Sequence, residues 1–463
     1  MTDLNDLDGG AAQSGDELKP DAAEERILKI IDENADKIKE FARDIYTHAE
    51  LGYKEFETSK KFAEFTKKLG LEVEEGLAVT GVKSYLNADK KKNVSLALIG
   101  ELDALRIPEH KCANKATQAA HCCGHNAQLA GVIGAAIALS DPEVAKKLDG
   151  QVVFYAVPAE EYGEIEFKNE LKRQGKIRYG GGKCELIRTG AFDDIDLSIA
   201  HHISCSGDIT FNTRSNNGFV SKVIKYKGKA AHAAGAPEKG INALNAASLG
   251  LSALAYQRET FRDDDHVRVH PIITKGGNLV NVVPDEVVIE TLVRAAGIDA
   301  ILDASEKTDR AFRAGALAVG AKVEIETMPG YLPTLPQEPD GELVRAAYLA
   351  AETGGAEKKK YDVVIERGGY SGGSTDVGDL QHIQPVLVFN TGGAEGGLHS
   401  VEYDVTDEEL AYVTTAKIFA LGAYRLLRDG AERAKDIVKN YNPPLTKEKY
   451  IEYMEALIKK ETY

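Results

Sequence analysis

The run of apolar and polar positions divides the chain into three textures. Between residues 21 and 50, apolar side chains recur at helical spacing, as Ile27, Ile30, Ile31, Ile38 and Phe41, and a second amphipathic helix is predicted over 58–69. Strand-length apolar runs follow at 81–86, 94–100, 152–158 and 197–202, with an apolar helix at 127–139 among them. Nearly unbroken apolar runs of this length suit strands buried on both faces. Strands alternating with helices predict an α/β sheet, whose functional groups gather just past the strand ends.

From about residue 211 the texture changes to a strand at 218–228, a helix at 240–257, strands at 266–275 and 286–295, a helix at 299–318 and a strand at 322–328. This β-α-β-β-α-β order is the signature of a ferredoxin-like module. Beyond residue 333 the first texture resumes, with a helix near 343–351, a strand at 386–390 and a long helix at 406–427. The smaller module therefore reads as an insertion. The expected organisation is an acidic solvated arm (1–24), a discontinuous larger domain (25–211 and 331–430), the inserted module (212–330) and a helical tail (431–463).

At 463 residues the chain exceeds one ordinary core, in keeping with two domains. A formal net charge of −16 gives no general attraction to nucleic acid or anionic lipid, so neither is an expected partner. No window approaches the roughly 18 to 20 apolar residues needed to span a membrane. The opening stretch lacks a basic segment followed by an apolar one, and five cysteines make no disulfide framework. A cytoplasmic location with reduced thiols is expected, leaving those thiols free to bind metal.

Four segments at predicted strand ends carry chemistry. The first is His121-Cys122-Cys123-Gly124-His125-Asn126, where thiolate and imidazole are good transition-metal donors and the glycine lets the backbone turn both toward one ion. In Pro158-Ala159-Glu160-Glu161, neighbouring carboxylates on extended chain point apart, so one can bind an ion while the other handles protons. His201-His202 and the His399 of a Gly-rich loop complete the set. Each segment alone is explained as well by burial or a solvated strand end; four converging at strand ends supply the Cys, His and carboxylate donors of a metal site.

Two further features concern substrate. Asn281 lies in a turn-rich connection and Arg294 thirteen residues later, near the end of the next strand. An Arg fork with a side-chain amide suits a carboxylate. His232 is flanked by small residues, as expected where a ligand or partner subunit approaches closely. A surface charge and a plain loop histidine are the alternatives.

Taken in order, these motifs, together with His48-Ala49-Glu50-Leu51-Gly52-Tyr53, Gly100-Glu101-Leu102-Asp103-Ala104-Leu105, the 228–242 stretch and Asn281 to Pro284, resemble the M20 family of metallopeptidases. The likeness runs from about residue 45 to 427 and is most similar to the family's amidohydrolase subgroup and its aminobenzoyl-glutamate hydrolase branch. It implies an α/β catalytic domain of zinc-peptidase type, with a mixed sheet flanked by helices and an inserted ferredoxin-like dimerisation and lid domain. By the family pattern Cys123, His125, Glu161, His202 and His399 would bind one or two divalent ions (Zn, Mn or Co). Glu160 would be the general base, Asp103 an orienting carboxylate, His232 an oxyanion donor that a neighbouring subunit could supply, and Asn281 and Arg294 the receptor for the substrate carboxylate. His202 is preferred to His201 because Ile203 follows it and His201 would face the other side of the strand. Asn126 departs from the Asp that many members carry, removing one acceptor near the site.

The activity implied is hydrolysis of the amide bond of N-acyl or N-aroyl amino acids by a homodimer. A dipeptidase or aminoacylase, a non-catalytic metal-binding dimer and a cysteine hydrolase using Cys123 with His125 stand as alternatives.

Overall fold

The computed structural model describes residues 19–352 and 359–463. Two compact units emerge. One holds the residues through Arg214, Pro336–Gly369 and Ile383–Pro444; the other holds Ser215–Leu335, Tyr370–His382 and Leu445–Tyr463.

The first unit is built on an eight-stranded mixed sheet. Its four middle strands, Gln151–Val157, Ser95–Glu101, Leu197–Ile203 and Val386–Thr391, lie side by side in that order and run parallel. The first two are buried along their whole length, the environment for which their apolar sequences are suited. Glu72–Leu77 and Gly81–Leu86 extend one side antiparallel, and Ile209–Asn212 with Val363–Glu366 completes the other. Because the middle strands are parallel, their carboxyl ends open along a single edge, which is where a ligand site forms in such sheets.

The helix His125–Leu139 is buried almost throughout and packs on Ser95–Glu101 and on the helices Ala35–Thr47 and Thr415–Leu427. Its composition is apolar all round, as a helix surrounded by protein needs. Two glycines permit the close approach. A Cβ on Gly131 would stand 2.5 Å from Thr415 Cγ2, and one on Gly134 would stand 2.4 Å from Ala416 Cβ.

In the second unit every pairing among Arg268–Val269, Glu286–Ala295, Gly218–Lys227, Lys322–Pro329 and Lys459–Thr462, in that order, is antiparallel, and Ile272–Lys275 also pairs with Glu286–Ala295. The helices Ala243–Tyr256 and Ile298–Val319 pack on each other and on this sheet around Tyr226, Ala247, Ile289 and Phe312.

The structure departs from the sequence reading in several places. The continuous helix expected over 21–50 is two, Ala22–Glu33 and Ala35–Thr47, separated at Asn34. Residues 1–18 of the expected arm lie outside the described residues, but 21–24 are not arm: Asp21 caps the first helix in a reciprocal capping box, and Glu24 is buried against Arg425. The tail is not wholly helical. After Glu432–Asn440 and Lys447–Ala456, Lys459–Thr462 joins the edge strand Lys322–Pro329, and Leu445–Tyr463 and Tyr370–His382 group with the second unit. A sheet edge offers unpaired backbone groups to any extended segment, so this pairing needs no apolar alternation.

Substituting Gly134 by valine would press a branched side chain onto Ala416 and Ile38. The expected cost is about 1–3 kcal/mol, read as a lowered urea midpoint at constant m-value; an unchanged midpoint would mean the helices can separate freely.

Candidate metal centre

The four parallel strand ends bring the donors together. Cys123 sits in the turn before His125–Leu139, and Gly124 between them has φ +75°, with Ile203 so close that a Cβ would stand 2.1 Å from its Cγ2. Only glycine fits both restrictions. Glu160 and Glu161 follow Gln151–Val157, His202 lies near the end of Leu197–Ile203, and His399 follows Val386–Thr391.

Cys123 Sγ lies 3.3 Å from His202 Nε2 and 3.2 Å from His399 Nε2, and His399 Nε2 lies 3.2 Å from Glu161 Oε1. Cys123 thus belongs to two clusters of possible ligands, one with His125 and His202 and one with Glu161 and His399. The tautomers follow from the carbonyl partners. His125 Nδ1 donates to the Asp103 carbonyl (2.8 Å), and His202 Nδ1 donates to that of Ile203 (2.7 Å). A carbonyl can only accept, so the Nε2 of each neutral ring is a bare lone pair aimed into the cluster. His125 Nε2 and Glu161 Oε1 are buried without a hydrogen-bond partner. Lone pairs facing one another at such distances repel unless a proton or a cation lies among them, and Cys, His and carboxylate donors are those of a transition-metal site. The residues therefore fit divalent ions.

Asp103 is fully buried and organises the cluster. Beyond its carbonyl bond to His125, its Oδ2 accepts the backbone N–H of Glu161 (2.8 Å) and its Oδ1 lies 3.3 Å from His125 Nδ1. Glu160 is buried, with Oε2 4.0 Å from His125 Nε2. Burial and the charge of Glu161 push the Cys123 thiol well up. Burial disfavours a charge on His125, but Glu101, Asp103 and Cys123 outweigh it and raise that ring well above the ordinary imidazole value.

Of the adjacent histidines, His202 faces Cys123, whereas His201 is buried against Phe389 and Phe419 and shares a 2.7 Å hydrogen bond with Thr391 Oγ1. Asn126 is buried; its Nδ2 donates to Tyr412 Oη (3.2 Å), and its Oδ1 has no hydrogen-bond partner.

Three residues outside the predicted set belong to the surroundings. Glu101 ends its strand with Oε2 3.1 Å from His125 Nε2. Lys183, buried completely, lies 2.6 Å from the other carboxylate oxygen. Burial opposes ionisation of Glu101, yet Lys183 and His125 bring it down to about 2. Glu55, also buried, accepts from Ala159 N–H (2.8 Å) and Thr80 Oγ1 (2.7 Å). Its burial, then the charge of Asp103, push it up to about 7. A carboxylate immediately beside the Asp103 motif was a visible signal for Glu101; nothing in sequence marks Lys183 or Glu55.

His232, Asn281 and Arg294 belong to the second unit. His232 is exposed, and its Nδ1 accepts from Gly235 N–H (2.9 Å) and Ala234 N–H (3.2 Å), leaving the ring proton on an outward Nε2 donor. Asn281 is beside it, its carbonyl accepting Ala233 N–H at 3.0 Å. Arg294 is elsewhere. It lies opposite Phe219, at the far end of the ladder that starts with the Lys227 and Glu286 pair, and donates to Ser374 Oγ at 2.9 Å. At about 3.3 Å per residue, the strand alone from Glu286 to Arg294 spans roughly 26 Å, so one copy of the chain cannot close Asn281 and Arg294 on the same carboxylate.

The fold and its donor cluster are those of a metal-dependent hydrolase. The chain matches peptidase family M20/M25/M40 over residues 97–421 and belongs to that family. It is 26% identical over 481 residues to the human Xaa-Arg dipeptidase, covering 97% of this chain and 98% of that one. It is 27% identical to one of the subunits of the p-aminobenzoyl-glutamate hydrolase of Escherichia coli, covering 67% and 63% respectively. Among solved structures, the fold is similar to an aminobenzoyl-glutamate utilization protein from Klebsiella pneumoniae (TM-score 0.62, 18% identity, 86% of this chain and 97% of that one). It is also similar to a dinuclear metal-binding M20 peptidase from Bacillus subtilis (TM-score 0.58, 23% identity, 88% and 99%).

Because the folded Glu55 carboxyl titrates near 7 rather than at 4.5, its stabilising contribution is full below 4.5 and is lost as pH rises through 7. Glu55→Gln stays neutral, and the Thr80 hydroxyl can turn to accept from it. The melting temperature of the variant relative to the parent is expected to rise between pH 5 and 8; a constant difference would refute the buried titration.

Proposed function

We propose that the protein hydrolyses amide bonds in substrates bearing a free carboxylate next to the amide nitrogen, meaning N-acyl and N-aroyl amino acids, with divalent ions held by Cys123, His125, Glu161, His202 and His399. The observation that carries this reading is the meeting of Cys, His and carboxylate ligand atoms at 3.2 to 3.3 Å around Cys123 and His399. Glu101, Asp103, Glu160, Glu161 and a Cys123 thiolate also crowd the same region as potential negative charges, with Lys183 beside them as a buried cation, and two divalent ions would balance them.

When bound, the ions supply Lewis acidity, which acidifies water and polarises a carbonyl oxygen. Glu160 takes the proton of the attacking water and returns it to the departing amine nitrogen. Asp103 keeps His125 and the Glu161 backbone in place. The outward Nε2–H of His232 donates to the developing oxyanion. Since Asn281 and Arg294 of one copy stand far apart, a complete substrate site draws His232 and Asn281 from one subunit and Arg294 from another. The exposed Ile272 and Ile273 on an edge strand, with exposed Leu279 and Val280 beside Asn281, support a homodimer formed through this face. The likeness to Xaa-Arg dipeptidases across nearly the whole chain supports dipeptides as a second substrate class.

Glu160→Gln is expected to retain its metal while kcat falls about 10²- to 10⁴-fold in a screen of benzoyl, aminobenzoyl, acetyl and aminoacyl amino acids. Full turnover would remove Glu160 from the chemistry, and no cleavage of any substrate by the metal-loaded parent would remove the hydrolase reading itself. Co-expressed His232→Ala and Arg294→Ala chains should regain activity that neither has alone, because one of the two mixed sites is then intact. Failure of mixed dimers to recover activity counts against a site shared between subunits.

A further inference from the structure

Glu101 holds a position that the five-ligand assignment leaves unused. It ends the central strand Ser95–Glu101, beside the turn that carries Asp103, and each carboxylate oxygen has a distinct environment. Oε1 lies 2.6 Å from Lys183 Nζ. Oε2 accepts from Gln128 Nε2 at 2.8 Å and faces His125 Nε2 at 3.1 Å, while Gln128 Oε1 takes the Glu101 backbone N–H at 3.0 Å. Glu101, His125, Gln128 and Lys183 are all buried, so none of these groups is there for solvation.

The Nδ1 proton of His125 is committed to the Asp103 carbonyl, which leaves a lone pair on Nε2 directed at a carboxylate oxygen. Two acceptors at that separation need a positive charge between them, which is a proton when the ring is an imidazolium and a metal ion when one is bound. Two donors each about 2.0–2.2 Å from one ion stand roughly 2.8 to 3.6 Å apart for angles between a right angle and the tetrahedral one, and the observed 3.1 Å lies in that range. Glu101, His125 and Glu160 also form a cluster whose donor atoms are mutually close enough to share an ion. Lys183 fixes one oxygen and leaves the other for the metal, and Gln128 sets the rotation of the carboxylate. Such anchoring of a ligand by buried partners commonly governs affinity.

We infer that Glu101 is a further metal ligand, contributing Oε2 to the ion bound by His125, and that Lys183 and Gln128 are positioning residues for it. This rests on the metal-hydrolase reading above and extends its ligand set.

The test is metal binding by the full chain. Removing one partner of a buried ion pair leaves the other uncompensated, so the leading variant replaces both, Glu101→Gln with Lys183→Met. Zinc(II) stoichiometry and dissociation constants are measured by competition with a chromophoric chelator, and cobalt(II) absorption reports the coordination sphere. The parent is expected to bind zinc, and the double variant to bind one ion about 10- to 100-fold more weakly with an altered cobalt spectrum. Unchanged stoichiometry, affinity and spectrum would reduce Glu101 and Lys183 to a structural ion pair and overturn the inference. Should circular dichroism show the double variant unfolded, Glu101→Asp decides: its carboxylate keeps the charge but is one methylene too short to reach both Lys183 and the ion. Weaker zinc binding by it supports the inference, and parental affinity overturns it. A parent that binds no divalent ion fails the hydrolase reading, whereas a parent and variants that bind equally fail only the Glu101 assignment.

Discussion

Asp103 joins the parts of the metal centre. Its carbonyl fixes the tautomer of a neutral His125, and its carboxylate holds the backbone of Glu161, so one buried residue orients candidate ligands contributed by two different strand ends. A buried carboxylate is costly to ionise, and Glu55 shows it: its own burial, and then the charge of Asp103, push it up to about 7. The central strands can present this cluster because they are parallel. Antiparallel neighbours would have sent alternate strand ends to opposite edges.

The close packing below the cluster serves the same end. Gly124 lets the chain pass Ile203 and enter the helix His125–Leu139, and Gly131 and Gly134 let that helix lie against Thr415–Leu427. A first-turn histidine is therefore carried on a helix with little room to shift. Precision of this kind matters where donors must meet within a few tenths of an ångström. His399 joins the same cluster through a loop whose backbone N–H at His399 is tied to the Cys122 carbonyl at 2.8 Å.

The second unit follows a different logic. Its sheet is antiparallel, its own helices cover a compact core, and the polar groups of interest sit at opposite ends of one ladder. His232 and Asn281 share one end, and Arg294 with Ser374 the other. The extended backbone is stiff over that length, so the separation is built into the fold.

Much of this was legible in the sequence because periodicity and strand ends are local properties. Apolar runs marked the buried strands, the β-α-β-β-α-β order matched the strands and helices of the second unit between 218 and 329, and the candidate donors Cys123, His125, Glu160, Glu161, His202 and His399 stood just past or at predicted strand ends. Strand alternation even separated His201 from His202. Tertiary structure alone decided which ring nitrogen faces a carbonyl, that Lys183 lies against Glu101, that Glu55 is buried within reach of the charge of Asp103, that Asn126 turns to Tyr412, and that the final strand joins the sheet at Lys322–Pro329. These depend on long loop closures, which no spacing along the chain encodes. They are set by which buried polar groups are left to satisfy one another once the core has formed.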